Sequence, residues 1–195
     1  NAEVAALSAV AHERGLAVHM DGARFGNALA RLGSTPAEAT WKAGVDVLSF
    51  GATKGGAMAA EAVIFFDPER ARAMPSRRKR SGHLVSKHRY LAAQFDAYLR
   101  DDLWLRLARH ANAAASGLAA GLAAHGLPPV SPVEANEVFV RLPMEADRRL
   151  KEAGAAYYHW DVPDAGTGLV LVRLVTSFAS TEAEVERFVQ LAAGG

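Results

Sequence analysis

The chain has 195 residues, half of them hydrophobic, with 22 Lys+Arg against 21 Asp+Glu and a formal net charge of +1. A real core can form, which argues against disorder, and the even charge argues against the concentrated basic face of a general nucleic-acid binder. With no cysteine, disulfides, thiolate metal sites and cysteine nucleophiles are excluded.

No apolar run approaches the roughly 20 residues of a membrane-spanning helix, so no membrane role is expected and the expected location is cytoplasmic. Residues 2–14 place Val4, Leu7, Val10 and Ala11 at helical spacing, and Gly15 stops that helix. The chain opens inside this pattern without a starting methionine or a signal-peptide pattern, so a truncated or cleaved polypeptide is expected. Leu16 to Met20 reads as a short buried strand ending at Asp21. The segment 22–35 is rich in Gly, Ala and Arg. Thr35 and Pro36 then open a helix as N-cap and first helical residue, with Glu38 in the first turn and an end near Gly44. Val45 to Phe50 and Ala60 to Phe66 read as the next strands, and Asp67 caps a short helix beginning at Pro68.

Arg77 to Arg80 read as a basic loop within 75–82. A long helical region follows over 83–124, broken near 100–102, and Gly126-Leu127-Pro128-Pro129 marks a boundary. Beyond it, Glu137 to Leu142, Tyr157 to Trp160 and Gly168 to Phe178 read as strands. Ala146 to Glu152 and Thr181 to Leu191 read as helices, the last opened by a Thr181/Glu184 capping box. Strands alternating with helices predict an α/β class with a parallel or mixed sheet.

Two segments carry chemistry. Lys54 lies among small residues in Ser49-Phe50-Gly51-Ala52-Thr53-Lys54-Gly55-Gly56, just after an apolar strand. Asp21 ends an earlier strand in His19-Met20-Asp21-Gly22-Ala23-Arg24. A lysine amine able to condense with an aldehyde, plus an acid to keep a pyridine nitrogen protonated, is the smallest set that pyridoxal 5′-phosphate chemistry requires. On spacing alone, Lys54 reads equally as an ordinary loop lysine, and Asp21 with Arg24 as an ion pair closing a turn. Arg77 to Arg80 read alone as a solvated loop, although four like charges together favour an anion or an acidic partner. His19 points to the same side of its strand as Asp21, as a supporting group or a buried structural histidine. His159 has no assigned role, and the histidine spacing suggests no metal site.

Together these segments resemble the low-specificity L-threonine aldolases, close to the phenylserine aldolases. The stretches from Arg77 to Tyr90 and from Val172 to Phe178 share the resemblance, which covers essentially the whole chain. It implies an aspartate-aminotransferase-type (fold type I) enzyme, with pyridoxal phosphate as cofactor and a small amino acid as substrate. Residues 1–82 would be the carboxy-terminal part of the large domain, 83–125 connecting helices and 126–195 a small α+β domain. It further implies that Lys54 is the lysine that binds the cofactor covalently, that Asp21 faces its ring nitrogen, and that Arg24 stands beside cofactor and substrate. Arg173 would clamp the substrate carboxylate, its alternative being an edge-strand arginine paired with an acid. Lys79 would reach a neighbouring subunit's cofactor phosphate in a homo-oligomer, a dimer or tetramer. One departure is Gly55, where many relatives carry Asn; it is expected to loosen the loop. The family's amino-terminal part, with its phosphate loop and ring-stacking histidine, is expected to lie outside this chain, on a second polypeptide or absent. The implied activity is cleavage of L-threonine or a related β-hydroxy amino acid to glycine and an aldehyde. The alternatives are a β-eliminating lyase, a racemase or an incomplete scaffold.

Overall fold

The computed structural model describes residues 1–162 and 166–194. They fall into two compact units, Asn1–Arg106 and Leu107–Gly195.

The first unit holds helices α1 (Ala2–Glu13), α2 (Phe25–Leu32), α3 (Pro36–Ala39), α4 (Pro68–Ala71), α5 (Met74–Arg80) and α6 (Arg89–Leu99). Its sheet has strands β1 (His19–Gly22), β2 (Val47–Gly51) and β3 (Glu61–Phe65) in that order. β1 and β2 are parallel and β3 is antiparallel, so the sheet is mixed. One face of β1 and β2 carries the buried Gly22, Leu48 and Phe50. Phe50 meets Phe25 at 6.1 Å, Phe95 at 5.6 Å and Trp104 at 5.6 Å between ring centroids. Such packing adds to simple area burial.

Several expected elements move. The first strand begins at His19 rather than Leu16, because Leu16 is spent in closing α1: its N–H donates to Ala11 O at 3.0 Å, with Gly15 at φ +67°. The Gly/Ala/Arg segment contains α2, which buries Phe25 and Leu29 and stops at Gly33, left-handed at φ +65°. The helix opened by Thr35 has its full capping box but ends early at Ala39, where Thr40 takes φ −125°, ψ −104°. The basic loop is helical as α5: Pro75 sits in its first turn, and Arg77 to Arg80 fall in its last turn. Cations there complement the helix dipole. The helical region expected from 83 starts at Arg89, and its break lies at Asp101 and Asp102, both with positive φ. The apolar stripe of α1 does not face the core of this unit: Leu7 is 71% exposed, and Ser8 is the buried residue.

α7 (Leu103–Ala124) begins in the first unit and continues into the second. The second unit adds β4 (Glu137–Pro143), α8 (Met144–Glu152), β5 (Tyr158–His159), β6 (Leu169–Val175) and α9 (Glu182–Ala193). The sheet order is β4-β6-β5, all antiparallel. β4 and β6 alternate strictly: Val138, Val140, Leu142, Val170, Val172 and Leu174 turn inward. They meet Leu118 and Leu122 of α7, Leu150 of α8 and Val189 of α9. Each such side chain contributes about 1.5–3 kcal/mol by leaving water. β6 stops at Val175 rather than Phe178 because Thr176 turns its hydroxyl to Ala111 O at 2.7 Å, and Ser177 N–H is taken by Ser180 Oγ. α9 opens with the expected Thr181/Glu184 capping box. Among the described residues, no helix is long and apolar enough to cross a membrane.

Candidate active site

The register of β1 on β2 sets the site. Asp46 fixes that register at the entrance of the strands: its Oδ2 accepts Val18 N–H at 2.7 Å and meets His12 Nε2 at 2.9 Å, while Arg70 lies 3.3 Å from Oδ1. The Val18 N–H and His12 hydrogen bonds outweigh burial, and Arg70 adds to them; together they hold the Asp46 carboxyl below its usual range. The strands then run in step, so that Asp21 stands beside Ser49 and Gly22 beside Phe50. At their ends the backbones press together: a Cβ at Gly22 would lie 2.6 Å from Ser49 O, and one at Gly51 3.0 Å from Ala23 Cα. Only glycine permits that approach.

Asp21 and Lys54 therefore emerge from the carboxyl ends of adjacent parallel strands, the edge where open α/β sheets bind ligands. Lys54 sits in a short 3-10 turn, Thr53–Gly55, immediately beyond β2. Both residues are exposed. Asp21 Oδ1 accepts Ala23 N–H at 3.0 Å. His19, two residues back, shares the face of Asp21 and meets Ser49 Oγ at 2.8 Å through Nε2. It is exposed rather than a buried structural histidine. Arg24 is half-buried at the N-cap of α2. Lys79 lies on α5, exposed, and no hydrogen bond or ion pair joins it to Asp21 or Lys54.

Sequence reasoning missed three neighbours. Ser49 joins the site through the strand register, which residue order alone does not give. Gln94 and Tyr98, on α6, reach the Lys54 loop from about 40 positions away along the chain. Gln94 Oε1 accepts Met58 and Ala59 N–H at 2.9 and 3.0 Å. Burial, and then Glu61, raise the Tyr98 hydroxyl above its ordinary pKa.

In the second unit, Arg173 lies on β6, the central strand of its sheet rather than an edge. Its guanidinium is 5.0 Å from the Trp160 ring centroid and 3.6 Å from Glu137 Oε1. Cation–π and ionic contacts of this kind orient a guanidinium. The same unit holds a group that the sequence left unassigned. Asp147 accepts Tyr157 O–H at 2.8 Å, and lies 3.0 Å from His159 Nε2 and 3.3 Å from Lys151 Nζ. Among the described residues, no cluster of His, Asp and Glu could hold a metal ion.

The profile of the beta-eliminating lyase family matches residues 1–145. A Pseudomonas aeruginosa protein, the low specificity L-threonine aldolase, is 49% identical over 157 residues, covering 80% of this chain and 45% of the relative. The enzyme of the same name from a Pseudomonas species is 47% identical over the same shares. The solved threonine aldolase of Leishmania major is 32% identical with a TM-score of 0.88, covering 97% of this chain and 55% of that one. The chain thus spans about half the length of the curated relatives it matches. The fold is the aspartate-aminotransferase type (fold type I), as the family resemblance implies.

Proposed function

The chain belongs to the beta-eliminating lyase family, and on that premise we propose that it is part of a pyridoxal-phosphate-dependent carbon–carbon lyase that splits L-threonine or a related β-hydroxy amino acid into glycine and an aldehyde. The observation that supports this reading is that Asp21 lies near the carboxyl end of β1 and Lys54 in the turn just beyond the carboxyl end of the adjacent parallel strand β2. The identity to low specificity L-threonine aldolases supports the choice of bond.

The residues fit the cofactor. An exposed amine is free to condense with an aldehyde. An exposed carboxylate that gives one oxygen to Ala23 N–H keeps most of its roughly four acceptor positions for a protonated ring nitrogen. When bound, pyridoxal phosphate supplies an electron sink for the pair released when a bond at the substrate Cα breaks.

Each residue then has a task. Lys54 would hold the cofactor through its amine. Asp21 keeps the ring nitrogen protonated by charge. Arg24 positions the bound groups. Arg173, oriented by Trp160 and Glu137, would grip the substrate carboxylate and so fix the orientation of the substrate. Lys79, on the exposed basic helix, serves the phosphate of a neighbouring subunit in a homo-oligomer. Residues 1–82 belong to the large domain, 83–125 connect, and 126–195 form the small domain.

The family description itself favours a second reading, β-elimination, with racemisation as its neighbour on the same scaffold. The half-length match favours a third, a scaffold that needs a second polypeptide. Added pyridoxal phosphate is expected to give a visible absorbance band that borohydride bleaches and that Lys54→Ala lacks. A colourless protein overturns the cofactor reading in favour of the scaffold. Product analysis then decides the bond: glycine and aldehyde support the proposal, whereas ammonia with a keto acid, or the enantiomer, refutes it.

A further inference from the structure

We propose that α6 positions the amine of Lys54, with Gln94 and Tyr98 as positioning residues; the inference rests on Lys54 being the cofactor-binding lysine. The loop between β2 and β3 is closed at its base by local bonds. Ala52 N–H donates to Ala60 O at 2.9 Å, Gly55 and Ala57 N–H donate to Ala52 O at 2.9 and 3.1 Å, and Ala60 N–H donates to Thr53 Oγ1 at 3.1 Å. Its tip has no such support. Met58 is 89% exposed, and Ala59 is exposed as well, so apolar burial does not hold it.

What holds the tip is the side-chain oxygen of Gln94, which takes the N–H of both Met58 and Ala59. Gln94 is itself oriented, because its Nε2 donates to Tyr90 O one turn earlier at 3.1 Å. That bond places the amide's oxygen toward the loop.

Tyr98 lies one turn further along α6, on the same face. It is 5% exposed, and its ring lies 6.4 Å from both Phe50 and Trp104. Its hydroxyl fills the space that a Cβ on residue 55 would occupy, and its Cζ would lie 2.9 Å from that atom. Gly55 therefore does not loosen the loop; it lets a buried ring close on the backbone next to Lys54. A lysine side chain is long and flexible, so the placement of its Cα decides where its amine spends its time.

The test uses amide hydrogen exchange and the pH dependence of Lys54 acylation, neither of which needs the cofactor. Gln94→Ala is expected to speed exchange at Met58 and Ala59 by about tenfold, the worth of a hydrogen bond. It should also shift the Lys54 acylation profile, while Gln94→Glu, which keeps an oxygen acceptor but loses the donor to Tyr90 O, restores both only in part. Gly55→Ala should shift the same profile, and Gly55→Ala with Tyr98→Phe should recover part of the shift, a coupling that independent sites lack. Global melting serves as the control for folding. Unchanged Met58 and Ala59 exchange in Gln94→Ala, or an unchanged Lys54 profile in Gly55→Ala, overturns the inference. Expected shifts in a protein that takes up no pyridoxal phosphate refute the functional reading while leaving the positioning role intact.

Discussion

Asp21 and Asp147 are the same residue type in opposite surroundings. Asp147 is 9% exposed in the second unit and is met by Tyr157, His159 and Lys151. Asp21 is exposed in the first unit, and its Oδ1 accepts a local bond from Ala23 N–H. A carboxylate withdrawn from water is costly unless its oxygens are taken by donors. Asp147 has such donors, and so has little acceptor capacity left for a ligand. Asp21 stays in water, where unfilled acceptor positions cost little, and keeps them open to a ligand. The sheets around them differ in the same sense: β4 and β6 lay a continuous apolar face on three helices, whereas β1 and β2 leave His19, Asp21 and Ser49 on one side of the sheet.

If the second unit is built for stability and the first for chemistry, substitutions should separate the two properties. The largest stability effect is expected from Leu150→Ala, which empties a fully buried position. A loss of about 2–5 kcal/mol in urea unfolding is predicted, and a loss below 1 kcal/mol would break the contrast. Asp147→Ala comes next, at about 1–3 kcal/mol, since it strands the Tyr157 hydroxyl donor. Asp21→Asn should leave the melting temperature unchanged while altering the absorbance of bound pyridoxal phosphate; equal melting losses at the two aspartates would erase the distinction.

Acid gives the smallest and most graded effect. Burial pushes the Asp147 carboxyl up, but the hydrogen bonds from Tyr157, His159 and Lys151 outweigh it, and it lies below the ordinary aspartate value of 3.8. The unfolded chain then binds the proton more readily than the folded one. The contribution is fully present above the unfolded value and is lost as pH falls through the lower folded value. Stability of the wild type should therefore decline more steeply below about pH 4 than that of Asp147→Asn, as measured by unfolding at stepped pH. Parallel declines would remove Asp147 from the account.

Much of the fold was legible in residue order where the signal is local. Thr181 with Glu184, and Thr35 with Pro36, announce their helices because capping chemistry is contained within four residues. The alternation of Val138, Val140 and Leu142 announces β4 in the same way. α5 was illegible because four adjacent cations suggest a solvated loop, whereas a helix end stabilises them. α2 was missed although Phe25, Leu29 and Leu32 stand at helical spacing before Gly33, because at eight residues it is short and begins beside Gly22 and Gly26. In the site, Lys54 and Asp21 could be singled out from their strand ends. The roles of Ser49, Gln94 and Tyr98 depend on register and packing between distant segments, which no local pattern encodes. Gly55 shows the cost of reading locally: by itself it suggests a looser loop, and beside Tyr98 it permits a tighter one.

The central claim is that the amine at position 54 is the one that receives the cofactor. Loading the protein with pyridoxal 5′-phosphate, reducing it with borohydride and sequencing its peptides by mass spectrometry tests this directly. The account predicts a phosphopyridoxyl group on Lys54 at near-stoichiometric yield. Stable modification of Lys42, Lys79, Lys87 or Lys151 in its place would contradict it.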